Sequence, residues 1–432
     1  MAFKSVLTFS TGIQKRPEGA EVGARYLSVR RQTEELAGPL SAEDQMVQSC
    51  PEASPSKWHQ AHTTWFFETF VLSEHIPGYR PFDSRFRDLF NSYYNAVGQQ
   101  PEKALRSTFS RPALDEVRKY RRHVDEQMRL LIESASPAHD LFKLIELGIN
   151  HEQQHQELLI TDIKHAFWSN PLRPGYQERP ATTPVGAPPQ SAEAFAGGLV
   201  EIGADISRFH FDNETPRHKV FLQPFRFAMR LATCGEYLAF MDDGGYQRPE
   251  LWLSDGWNAV QTHQWKGPLY WEKTGPGDEW MQFTCSGMRK INQAEPVCHV
   301  SYYEADAFAR WAGARLPTEF EWEIVASQVP ATGNLLEEGH FHPATSKDQA
   351  APMQVFGDVW EWTASAYLPY PRFKPATGAV GEYNGKFMSG QMVLRGGSCV
   401  TPQSHVRATY RNFFPPETRW QFSGIRLADD SL

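Results

Sequence analysis

A chain of 432 residues is too long for one ordinary hydrophobic core and is expected to divide into at least two domains. Its 41% hydrophobic and 22% charged residues are those of a globular protein, and no apolar run is long enough to span a bilayer. A net charge of −8 without a long Lys/Arg run argues against nucleic acid or an anionic membrane as the main partner.

The first residues, "MAFKSVLTFSTGIQKRPEG", show no convincing apolar core or cleavage site, so no signal peptide is expected. Five scattered cysteines (Cys50, Cys234, Cys285, Cys298, Cys399) form no C-x-x-C. Free thiols in a reducing cytoplasm are the expectation. From Glu21 to Trp168 the chain reads as helical. An early helix lies near "GARYLSVRRQTEELAGPL". Ser54-Pro55 is predicted to open a second, "SKWHQAHTTWFFETFVL", and Ser110-Arg111-Pro112 a third, through "ALDEVRKYRRHVDEQMRLLIES". The fourth is "HDLFKLIELGINHEQQHQELLITDIKHAFW". Four apolar stripes are buried most simply in an antiparallel four-helix bundle. "NPLRPGYQERPATTPVGAPPQS" is Pro-rich and polar and reads as a linker, followed by short strands, Gly turns and many Trp. The expected organisation is a helical domain over 1–169, a linker over 170–194 and a second domain over 195–432.

The fourth helix contains H-E-x-x-H. His151 and His155 lie four apart, on one face shared with Leu141, Leu144, Gly148, Leu158 and Leu159, so both are predicted to point inward. Two adjacent buried imidazoles are costly without a shared ligand. In "KWHQAHTTW", His62 falls on the stripe of Trp58 and Trp65, whereas His59 is expected to face outward. Three histidines from two helices make a catalytic type of metal site with open positions. A zinc protease does not fit. The extended pattern would need Gly at Leu158 and His at Thr161, and the Pro-rich stretch leaves no helix for a downstream Glu ligand. The three histidines alone do not separate zinc from ferrous iron.

The second half carries "FDNETPRHKVFLQPFRFAMRLATCGEYLAFMDDGGYQRPELWLSDGW", "PVCHVSYYEADAFARWAGARLPTEFEWEIVA", "FGDVWEWTAS", "VLRGGSC" and "FSGIRLA". As a set these resemble the formylglycine-generating-enzyme (sulfatase-modifying factor) domain, which implies a C-type-lectin-like fold over Phe195 to Leu432. That family's C-terminal cysteine pair for copper has no counterpart in "YRNFFPPETRWQFSGIRLA", so that activity is not expected. The first half, with "WHQAH" and "HEQQHQE", looks like a DinB-like helical bundle. The fusion resembles the EgtB-type sulfoxide synthases of ergothioneine biosynthesis, an α+β multidomain architecture.

The resemblance implies Fe(2+) on His62, His151 and His155, the three residues that spacing also selects. It implies joining of a thiol to imidazole C2 of hercynine (Nα-trimethylhistidine) with O2. It also implies substrate contacts from Gln154 and from "YRNFFPP", with Asn412 at the amino-acid end, Phe413 for packing and Phe414 in an apolar wall. A tyrosine near iron is that family's proton source, and "LFNSYYNAVG" offers Tyr93 and Tyr94, which on a helix would point about 100° apart. Arg85 and Arg87 are candidates for the thiol donor's carboxylate. Family donors are γ-glutamylcysteine or cysteine, and the Phe413–Phe414 wall favours cysteine. The competing expectations are an ovothiol-type synthase, joining cysteine to histidine at C5, and a non-enzymatic module on a retained lectin-like fold.

Overall fold

The computed structural model describes residues 19–134, 139–178, 186–274, 277, 279–346 and 352–430. The N-terminal stretch read for a signal peptide therefore lies outside the described residues. Four long helices dominate the first half: α1 (Gly19–Ala37), α2 (Ser56–Phe66), α3 (Leu114–Ser134) and α4 (His139–Ser169). α1 and α2 each pack against both α3 and α4. Tyr26, Phe67, Val117, Val124, Met128, Ile145 and Ile149 fill the space between them. Each contributes from one stripe of its helix, so burial of the apolar faces drives the assembly.

Two local details set the site. α2 runs on into a wider-pitched turn, Phe67–Leu72, which rotates the aromatic run F-F-E-T-F toward α4. Gly148 receives it. A Cβ there would lie 2.5 Å from the Phe67 ring and 2.9 Å from Phe66, so only glycine lets the helices approach this closely one turn before His151. The expected cap of α2 is different. The helix begins at Ser56 with Pro55 at its N-cap and no side-chain cap. Ser54 is used elsewhere, its hydroxyl accepting from Arg106 and its N–H donating to Asp162.

After α4 the described residues carry no helix or strand until Ala192–Phe195, a strand that begins inside the 170–194 stretch expected as a linker; residues 179–185 lie outside the described set. The second half is β-rich and built of short strands. Its central sheet has the spatial order Asn412–Phe414, Met392–Arg395, Trp360–Ala366 and Ser423–Gly424, antiparallel except for the last pair. The R-L-P-T-E-F-E-W-E segment explains itself as scaffold. Thr318 and Glu321 form a capping box for the helix Glu319–Ala326. Glu319 accepts from Arg395 and Arg411, Glu323 from Arg395, and Trp322 donates to Glu361, which also holds Arg426. These buried charges are paired and hydrogen-bonded, the condition for carrying them inside.

The two halves meet along one polar stripe of α4. Asn150 Oδ1 accepts from His405 Nδ1–H, Gln153 donates to Ser404 and Lys164 is bonded to His299. Glu157 accepts from Trp360 (2.8 Å), Gln421 (2.7 Å) and Thr401. The spacing of three and four places this stripe on one face of the helix. The site is therefore held between the halves.

Candidate metal centre

His62, His151 and His155 converge, with ligand atoms within 4.8 Å of one another. The ring pairs are 4.6–5.0 Å apart. His62 gives Nδ1 to the Phe90 carbonyl at 2.6 Å, which leaves its buried Nε2 without a partner. His151 Nε2 and His155 Nε2 face each other at 3.1 Å. Nitrogens so placed share either a proton or a cation. Burial, with neighbouring imidazoles, holds His62 and His155 well below the ordinary histidine pKa and His151 at about 3, so the rings are neutral with lone pairs free at neutral pH. Neutral imidazoles around an unpartnered nitrogen suit a divalent transition metal. Trp58 and Trp65 stack on the two faces of His62 and lock its ring.

The glutamate of H-E-x-x-H points the other way. Glu152 lies in the bundle core, bonded to Arg30 (2.9 Å), Arg121 (3.1 Å) and Thr33 (2.7 Å). Burial would raise its pKa, but Arg30 and Arg121 hold it down to about 2. A carboxylate tied to two arginines is no general base, so the protease reading fails on geometry as well as on spacing.

His59 departs from expectation. It is buried, and its Nδ1 lies 2.8 Å from His155 Nδ1. The i, i+3 relation to His62 allows this shared face, although His59 lies off the stripe of Trp58 and Trp65.

Tyr93 and Tyr94 also differ in form. They lie in an irregular loop after the short helix Phe86–Leu89, pinned by Asn91, whose side chain bonds both N–H and C=O of Tyr94. Their rings stack at 4.6 Å with the hydroxyls 3.4 Å apart, instead of diverging as on a helix. Tyr94 packs on Trp65, while Tyr93 turns toward Tyr383 and Phe387. Tyr383 approaches closest to the histidines, its ring 5.6 Å from His151. Gln154 is clamped from both sides, accepting from the Tyr383 hydroxyl and donating to Tyr410 at 2.7 Å. Burial pushes the pKa of all four phenols up, so they stay protonated at neutral pH.

Asn412, Phe413 and Phe414 form the sheet's edge strand. Phe413 stacks on Tyr367 at 4.0 Å and approaches Phe387, which links this edge to Tyr93. Phe414 packs toward Trp420, and the Asn412 side chain accepts from the Phe413 N–H. Arg85 and Arg87 are not brought to the histidines. Both are exposed; Arg85 pairs with Asp83, and Arg87 contributes only a carbonyl to Trp65. A different arginine lies beside the histidine cluster, against Trp58. Arg106 is buried, stacks 3.5 Å over Trp58 and donates to Ser54 and Ser92. Burial lowers its pKa to about 9. It sits in the short 3-10 helix Lys103–Thr108, too short for periodicity to mark it.

Residues 177–350 and 339–431 match the sulfatase-modifying factor enzyme 1-like domain. The hercynine oxygenase of Mycobacterium tuberculosis is 34% identical over 305 residues, covering 65% of this chain and 70% of that protein. The chain belongs to the hercynine oxygenase family. Another member, from Mycolicibacterium smegmatis, is 33% identical over 66% of this chain and 71% of its own. The family member from Mycolicibacterium thermoresistibile is 29% identical over 96% of both chains, so the likeness includes the helical half that carries the histidines. A helical half fused to a formylglycine-generating-enzyme-like domain is the EgtB-type architecture.

Proposed function

We propose that this chain is an iron(II)- and O2-dependent sulfoxide synthase of ergothioneine biosynthesis. It acts on hercynine with cysteine, or γ-glutamylcysteine, as thiol donor, through a DinB-like bundle and a C-type-lectin-like domain. The carrying observation is the convergence of three neutral imidazoles, two buried and one half-buried, with the His62 Nε2 orphaned, in a chain of the hercynine oxygenase family. Overall, the imidazole C2–H and the thiol S–H break and the C–S bond forms. One oxygen atom of O2 ends on sulfur, and the other leaves as water with the two hydrogens. Ferrous iron on His62, His151 and His155 supplies the redox chemistry that lets O2 react.

The chain's own groups orient the substrates. Gln154, held rigidly by Tyr383 and Tyr410, presents its amide beside His155 to the hercynine imidazole. The trimethylammonium donates no N–H hydrogen bond and suits aromatic faces and a carboxylate. Phe211 stacked on Tyr383, the Phe413 wall, and Asp212 with one unpartnered buried oxygen provide both. Asn412 serves the amino-acid end. Among the described residues Arg106 has no carboxylate within ion-pair distance, and a buried cation without one is costly. The thiol donor's carboxylate would complete it. The proton for oxygen reduction comes from a phenol of the Tyr93–Tyr94–Tyr383 group.

The test is product analysis by mass spectrometry and NMR. Hercynine or histidine is paired with cysteine or γ-glutamylcysteine, under Fe(II) and O2. The expected product is the C2 sulfoxide, with kcat/KM for hercynine more than about tenfold above histidine, about 1.4 kcal/mol of differential transition-state binding. Sulfur at C5 of histidine would replace this reading with the ovothiol-type one, and iron-free, inert protein would favour a binding module.

A further inference from the structure

His62 Nε2 and the facing Nε2 atoms of His151 and His155 account for the metal-facing side of the cluster. Behind His155 lies a second arrangement that leads away from it. His59 Nδ1 is 2.8 Å from His155 Nδ1, and His59 Nε2 is 3.0 Å from Asp162 Oδ2. The same carboxylate oxygen accepts the Ser54 N–H at 2.8 Å, and Asp162 Oδ1 has no partner. His59 is 2% exposed and Asp162 5%, so no water competes for these bonds.

The protonation of this row follows from one requirement. For His155 Nε2 to offer a lone pair, its Nδ1 must carry the proton. That N–H then donates to His59 Nδ1, and His59 Nε2–H donates to Asp162. In this order every donor meets an acceptor and His155 Nε2 keeps its lone pair. Reversing it would put the His155 proton on Nε2, 3.1 Å from His151 Nε2, and close the site. Asp162 has no Lys or Arg within ion-pair distance among the described residues. Arg106 and Lys103 act on it only through space. A buried carboxylate with so little compensation is expensive. A divalent cation at the other end of the row compensates it.

We infer that His59 and Asp162 are positioning residues that fix the tautomer and orientation of His155 and raise its basicity as a metal ligand. This inference rests on the metal reading above. A carboxylate behind a ligand histidine is a general device, and removing it weakens metal binding about 10–100-fold. Here the carboxylate acts through an intervening imidazole.

The test is anaerobic Fe(II) titration of the full chain, with the Tm of metal-free protein measured alongside. His59→Ala should weaken Fe(II) binding at least about fivefold. His59→Asn, which returns an acceptor near the Nδ1 position, should recover at least half of that loss on a logarithmic scale. Asp162→Asn should also weaken binding at least about fivefold, and it carries the test alone if His59→Ala does not fold. A mere packing role would lower the metal-free Tm and leave the Fe(II) Kd unchanged. The inference is overturned if wild type and His59→Ala bind Fe(II) within fivefold of each other, if His59→Asn is no better than His59→Ala, or if Asp162→Asn stays within fivefold of wild type. Wild-type protein that binds no Fe(II) would instead overturn the metal reading itself. His62→Ala, outside this row, should lose the metal in either case.

Discussion

Helix α4 carries two buried polar clusters on neighbouring residues, and they differ in how their hydrogen-bonding capacity is used. On the core side, Glu152 is met by Arg30, Arg121 and Thr33, and Arg30 also by Asp125. Charge is matched and the carboxylate's oxygens are occupied; Arg121 Nε makes no hydrogen bond but lies 3.7 Å from a Glu34 carboxylate oxygen. On the other side, His62, His151 and His155 leave His62 Nε2 and His151 Nδ1 without partners. Both clusters cost desolvation energy, but only the first recovers it within the chain. A buried cluster that is satisfied internally is scaffold, whereas one that remains unsatisfied is shaped for something that binds. One H-E-x-x-H motif contributes to both.

This contrast can be broken most sharply at Glu152. Glu152→Ala leaves two arginines buried and unpaired and should destabilise the protein by about 3–5 kcal/mol, read from chemical denaturation. A loss below about 1 kcal/mol would mean the arginines find other partners and the scaffold assignment is wrong. The histidine side should behave in the opposite way. His151→Ala, His155→Ala or His62→Ala should lower Fe(II) affinity by more than about 100-fold, beyond the range for removing a supporting residue, with little change in the metal-free Tm. Full iron occupancy in His151→Ala would remove it from the ligand set.

The pH dependence sharpens the same point. His151 is held at about 3 in the folded chain, against about 6.5 when unfolded. Below pH 6.5 the unfolded state takes up the proton that the folded state refuses. The associated stability is complete above about 6.5 and is lost as pH falls toward 3. For metal-free protein this amounts to up to about 2 kcal/mol by pH 5. His151→Gln should flatten the stability curve over that window, and parallel curves would show that the ring is not neutral as described.

The smallest effect concerns the phenols. Tyr93→Phe, Tyr94→Phe and Tyr383→Phe each remove one hydroxyl and little packing. At the proton donor, the change should lower sulfoxide formation at least about tenfold and raise the share of sulfinate, without loss of iron. Tyr383 carries the added prediction of a raised hercynine KM, because its hydroxyl also clamps Gln154. Three variants with wild-type rate and product ratio would exclude this group as the donor.

Periodicity and composition were enough to find the four long helices, the Pro-rich stretch, and the three converging histidines His62, His151 and His155. These depend on neighbours three or four residues apart, which a single helix already aligns. The motif-dense second half disclosed its family because its capping boxes and buried ion pairs require particular residues at fixed local spacing. Features that join distant segments were decided by the tertiary structure alone. Arg106 faces Trp58 across nearly fifty residues, and Tyr383 meets Gln154 from the other half. The outward-facing Arg85 and Arg87, and the stacked rather than divergent Tyr93 and Tyr94, follow from a loop whose path Asn91 sets. His59 shows the division at one residue. Its helical phase was compatible with either direction, and only the arrival of His155 and Asp162 from α4 made the inward position favourable, because a buried imidazole is stable where both its nitrogens find partners.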